Sequence, residues 1–193
     1  MVRFGLLAGV LVVLTACAGE PQVVAEPDVS PAPNPYLNTL GGKLSAWRQL
    51  TADYGENYRY AVSAGSVFGP SYNTVLTLRG GEVVRRDLSM TEIDDAGNTT
   101  VTELWSETGS AVGSHEEYAA APLSIDERYE SCRQTLASVD LGNDDVYLEF
   151  IAPLVEGEEL EGDGSVLSDC SVIPKSVVHD GGAEVVTELE FLD

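Results

Sequence analysis

Leu40, Leu44, Trp47, Leu50 and Tyr54 recur at close to helical spacing, after Gly41 and Gly42 and before Gly55. This predicts a short amphipathic helix over residues 43–53 with Trp47 as a core anchor. The period then drops to two. Tyr58, Tyr60 and Val62 alternate with Arg59 and Ala61, the pattern of a half-buried strand. The following TVLTLRGGEVVRRDL reads as two strands joined at Gly80 and Gly81, a pair that suits a two-residue primed turn needing positive φ at both positions. These three strands are expected to form an antiparallel meander, and DDAGN at 94–98 is a turn that separates them from VTELW.

The second helix is SIDERYESCRQTLAS. Ser124 with Glu127 three residues on is a capping-box arrangement, and Ile125, Tyr129, Cys132 and Leu136 fall on one face. Cys132 is thereby placed on the core side. VYLEF at 146–150, VLSDCSVI at 166–173 and EVVTELEFL at 184–192 then read as strands, with the acidic EGEELEGDG at 156–164 as a loop. The expected fold is α+β: a mostly antiparallel sheet of about six strands with two helices, in the order α-β-β-β-α-β-β-β.

The chain begins differently. Arg3 precedes an uncharged apolar run, the form of an export signal. The run is shorter than the roughly 20 residues a spanning helix needs. Leu14, Thr15, Ala16 and Cys17 have the lipobox pattern of bacterial lipoproteins, an aliphatic residue and two small ones before a cysteine whose thiol takes a diacylglyceryl group. Residues 1–16 are expected to be a lipoprotein signal peptide and Cys17 the lipidated residue, the alternative being an ordinary signal peptide with a chance cysteine. Two or three acyl chains hold a protein on a membrane essentially permanently, at about 0.8 kcal/mol per buried methylene. Ala18 after the cysteine, rather than Asp, directs the expectation to the outer membrane in a Gram-negative cell, and otherwise to the outer face of the plasma membrane. Residues 17–42, with five prolines from Pro21 to Pro35, are expected to be a tether, and residues 43–193 a single domain.

Composition adds a strong charge. The chain has 10 Lys and Arg against 32 Asp and Glu, a net charge of −22. An electrostatic footprint for nucleic acid is therefore not expected, and a partner chosen by charge is a cation or a basic molecule. Such an excess also serves solubility. With Cys17 assigned to lipid, Cys132 and Cys170 remain as an even pair in an oxidising compartment, and they are expected to form a disulfide, the alternative being two buried thiols.

No nucleophile motif is present: AVSAG at 61–65 has Ala where a G-x-S-x-G elbow begins with Gly. His115, in GSHEEY, and His179, in VVHDGG, have no second His or Cys at metal-binding spacing, and His115 is expected in an exposed loop. Asp140, Asn143, Asp144 and Asp145, and residues 158–163, are acidic enough for loose Ca²⁺ contact but read as solvated turns. No catalytic residue, metal or cofactor is assigned.

Several of these pieces together resemble a group of uncharacterised exported bacterial domains, many of them lipid-anchored: the strand NYRYAV, the hairpin LRGGEVV, WSETGSAVGSH, the helix DERYESCRQTL and a later strand with Cys. The resemblance covers about residues 44–192. It implies an α+β fold and no known activity, with further cysteines in relatives near the final hairpin, where this chain has Lys175 and His179. The expected function is a non-catalytic binding or assembly module of the envelope, whose partner is a protein, a basic one on charge grounds. The alternative is a cation-dependent or carboxylate-based hydrolase using Glu116, Glu117 and Asp180.

Overall fold

The computed structural model describes residues 34–65, 70–94, 96–160, 164–177 and 184–193. Its first element, α1 (Pro35–Tyr54), starts eight residues before the helix expected over 43–53 and extends into the expected tether. Asn34 explains the difference. Its side chain accepts a hydrogen bond from the Tyr36 amide at 3.0 Å, and Pro35 occupies the first turn, where its missing N–H is no loss. Gly41 and Gly42 lie inside the helix rather than ahead of it; burial of Leu40 and Trp47 overrides their low propensity. Gly55, at φ 92°, ends it.

Helix α2 (Ile125–Ala137) has the expected cap and face. Ser124 Oγ accepts from the Glu127 amide at 3.2 Å, and the Ser124 amide donates to Glu127 Oε2 at 2.7 Å. Ile125, Tyr129, Cys132 and Leu136 are all buried.

Nine strands are described, against about six expected: β1 (Tyr58–Gly65), β2 (Ser71–Arg79), β3 (Glu82–Ile93), β4 (Thr99–Thr108), β5 (Asp144–Ile151), β6 (Leu154–Val155), β7 (Glu158–Glu159), β8 (Val166–Pro174) and β9 (Val185–Phe191). The meander of β1 to β3 is present, turning at Gly80 and Gly81 with φ 57° and 79°. It continues into β4, because Asp94 closes the 94–98 turn by accepting from the Ala96 and Asn98 amides. The seven-stranded sheet runs β4-β3-β2-β1-β9-β6-β7, antiparallel except for the β6–β9 pair. Part of the acidic stretch expected as a loop becomes β7, since Glu156 and Gly157 take positive φ and turn the chain back on β6. Strands β5 and β8 form a separate two-stranded sheet.

Both helices contribute to one core with β1, β2, β8 and β9. Trp47 is its anchor: fully buried, edge-on to Tyr58, stacked at 5.8 Å on Phe191, and donating from Nε1 to Asp126 at 2.9 Å. Cys132 and Cys170 are bonded, joining α2 to β8 with a Cα separation of 5.8 Å.

Candidate functional site

One face of the large sheet carries a row of register partners, Leu189, Tyr60, Leu76, Arg86 and Glu107, running from β9 to β4. The row begins apolar and ends in an ion pair. Arg86 reaches Glu107 Oε2 from Nε at 3.0 Å and Nη2 at 2.9 Å, and both side chains are almost wholly buried. What buries them is the segment between β4 and α2. Glu107 accepts from the amides of Gly113 at 2.8 Å and His115 at 2.6 Å, and from Ser114 Oγ at 2.9 Å. His115 Nδ1 lies 2.8 Å from the same carboxylate, and the imidazole stacks on Trp105 at 4.7 Å.

Beyond His115 the segment crosses the remaining strands like a strap. Arg86 donates to the carbonyls of Ala120, at 2.9 Å, and His115. Tyr118 stacks on Tyr72 at 4.5 Å, and the Ala120 amide donates to Thr74 Oγ1 at 3.0 Å. Tyr60 donates its hydroxyl proton to the Leu123 carbonyl, and the Ile125 amide donates to the Tyr58 hydroxyl. The strap thus runs from β4 to β1 and delivers the chain to the start of α2. Burial alone would raise the Glu107 carboxyl, but hydrogen bonds from Arg86, Gly113 and His115 outweigh it and hold the group well below the usual carboxylate range. Glu107 is a fixed, fully engaged anion that organises the strap, with no acceptor capacity left for proton transfer.

A cleft with room for a small ligand lies between α2 and β8. Residues 128, 131, 132 and 135 share one stripe of the helix and, with β8, form a cleft of about 280 Å³. The Cys132–Cys170 disulfide, Leu123 and Leu167 give it apolar surface. Ser131, Thr135, Ser171, Asp169 and Glu184 give it hydroxyls and carboxylates. Arg128 is the unusual member, because its Nε is buried with no hydrogen-bond partner.

Every other described Lys or Arg is engaged. Arg48, Arg59, Arg85, Arg86, Arg133 and Lys175 have carboxylate partners, whereas Lys43 donates to the Gly164 carbonyl and Arg79 to that of Asp193. Arg128 has no such partner among the described residues, although the chain carries about three acidic residues for each basic one.

Of the residues singled out in the sequence, Cys132 and Cys170 are brought together, and Cys17, His179 and Asp180 lie outside the described residues. His115 is half exposed, as expected of a loop, yet pinned by Glu107. Glu116 and Glu117 are exposed on the strap, away from the cleft. Asp140 accepts from the Gly142 amide and Asn143 Nδ2, and Asp144 from the Asp140 amide, so these groups build a turn. Among the described residues no three His, Cys, Asp or Glu side chains converge on a metal position, and no helix is long and apolar enough to cross a membrane.

Arg86, Glu107 and Arg128 were not singled out by sequence reasoning. For the first two a signal existed: Arg86 shares the parity of Leu88, and Glu107 that of Trp105, so each falls on the inward face of its strand. No protein-family model, curated protein or solved structure matches this chain.

Proposed function

We propose that the chain is a lipid-anchored, non-catalytic binding module of the cell envelope, held by acyl chains on Cys17 and presenting its α+β domain to a basic envelope protein. The observation that carries the reading is the order of the N-terminal signals: an apolar run, the lipobox Leu14 to Cys17, a proline-rich stretch, and a helix cap at Asn34. Sixteen residues separate Cys17 from Asn34, and an extended chain of that length reaches roughly 50 Å, enough to hold the domain clear of a lipid surface. Removal of residues 1–16 also removes Arg3 and leaves a net charge of −23, which steers basic partners toward the domain.

The use of the ionisable groups supports binding over catalysis. Glu107, whose carboxyl is held well below the usual carboxylate range, is closed over by the strap, and Glu116 and Glu117 are solvent-exposed. The test is a pull-down from detergent-solubilised envelopes at low salt, followed by a salt series. A basic protein recovered reproducibly and released as salt screens the charges is expected. Recovery of no such partner contradicts the reading.

A further inference from the structure

We propose that the cleft between α2 and β8 binds a free α-amino acid, its carboxylate held by Arg128 and its ammonium group by Asp169 and Glu184. The inference rests on the binding-module reading and gives it a small-molecule ligand in addition to a protein partner. It starts from Arg128. Arg128 lines the cleft, is only partly buried and has no carboxylate or carbonyl partner among the described residues, and guanidinium and carboxylate match in a bidentate geometry.

A simple anion is a poor occupant. Asp169 and Glu184 line the same cleft, and the chain as a whole is strongly negative, so a ligand bearing only a carboxylate is repelled on approach. A zwitterion has no net charge and presents an ammonium group to those two carboxylates. The remaining lining suits the rest of such a molecule. Ser131 offers a hydroxyl, Ser171 donates its own to Asp169 Oδ1 at 2.5 Å and so orients that carboxylate, and Leu123, Leu167 and the disulfide offer an apolar wall for a side chain. Size selects further: about 280 Å³ lies just below the roughly 300–1,000 Å³ of drug-sized ligand pockets and fits one amino acid with a medium apolar side chain.

The test is calorimetric titration of the purified full chain with the free proteinogenic amino acids, and with the carboxamide and N-acetyl derivatives of whichever binds. One or more apolar amino acids are expected to bind. Arg128→Gln, with its fold checked by circular dichroism and its melting temperature, is expected to weaken binding about tenfold or more, and the carboxamide to bind the wild type as weakly as the parent binds the variant. Glu184→Gln is expected to reduce the preference for the free amine over the N-acetyl form. The proposal is overturned if no amino acid binds at millimolar concentration, if a folded Arg128→Gln variant binds like the wild type, or if the carboxamide binds as well as the parent. Should titration fail while the pull-down still recovers a salt-released basic partner, the cleft assignment falls and the binding-module reading stands.

Discussion

Arg86 and Glu107 are cross-strand partners in the β3–β4 ladder, 2.9 Å apart, with side chains only 2% and 1% exposed. A charged pair so placed stabilises little by itself, because desolvation of both groups offsets their attraction. Its role is positional. Glu107 collects two strap amides and the Ser114 hydroxyl, and Arg86 two strap carbonyls, so the pair fixes how residues 113–120 lie on the sheet.

Removing one partner leaves the other charge buried and unpaired. Glu107→Ala is expected to destabilise the fold by about 3–5 kcal/mol in urea unfolding, and Arg86→Met with Glu107→Leu to recover only part of that loss, because the strap amides and carbonyls held by the pair stay unpaired. Amide exchange in Glu107→Ala is expected to accelerate first at Gly113, His115 and Ala120, the strap amides held by Glu107 and Thr74.

The same carboxylate sets an acid dependence. Its folded-state pKa lies below the unfolded value of about 4.3, so its stabilisation is complete above that value and is lost as pH falls through the lowered folded pKa. The stability difference between wild type and Glu107→Gln should therefore be largest near neutrality and shrink steadily below about pH 4. A difference independent of pH between 7 and 2 would falsify this role.

Tyr58, Tyr60 and Tyr129 are expected to resist ionisation. Burial pushes each hydroxyl above the ordinary tyrosine value; Tyr60 and Tyr129 donate to carbonyls, and Tyr58 accepts from the Ile125 amide. Since the folded pKa is raised, the protonated form contributes stability fully below about pH 10, and this is lost as pH rises beyond it. Alkaline titration at the phenolate absorption band should show these three ionising only together with unfolding.

The disulfide closes a loop between residues 38 apart in sequence, which in the chain-entropy model contributes about 4 kcal/mol. Cys132→Ala with Cys170→Ala should lower the denaturant midpoint accordingly, with little change in helical content, because the α2 cap at Ser124 and its buried face are retained. An unchanged midpoint would show that the bond constrains nothing the core does not already hold.

Local patterns were legible wherever a single rule decided the outcome. Ser124 with Glu127, the Gly80–Gly81 turn and the stripe Ile125, Tyr129, Cys132 and Leu136 each appear in the structure as the sequence implies. The start of α1 was misplaced because Pro35 reads as one more proline of the tether, whereas with Asn34 before it the same residue is a helix start. The extra strands β6 and β7 are two residues each, too short for any period to appear. The Cys132–Cys170 bond followed from an even count, but the cleft beside it did not. Its walls come from α2, β8 and the approach to β9, and only the folded arrangement shows Arg128 without an acceptor.

The most direct test of an anchored envelope module is the intact mass of the protein purified from membranes of cells that express the whole chain. A mature protein beginning at Cys17 and carrying the added mass of a diacylglyceryl group, with or without a further acyl chain, is the expected result. A mass corresponding to an unmodified Cys17, whether the leader is retained or cut elsewhere, would contradict it.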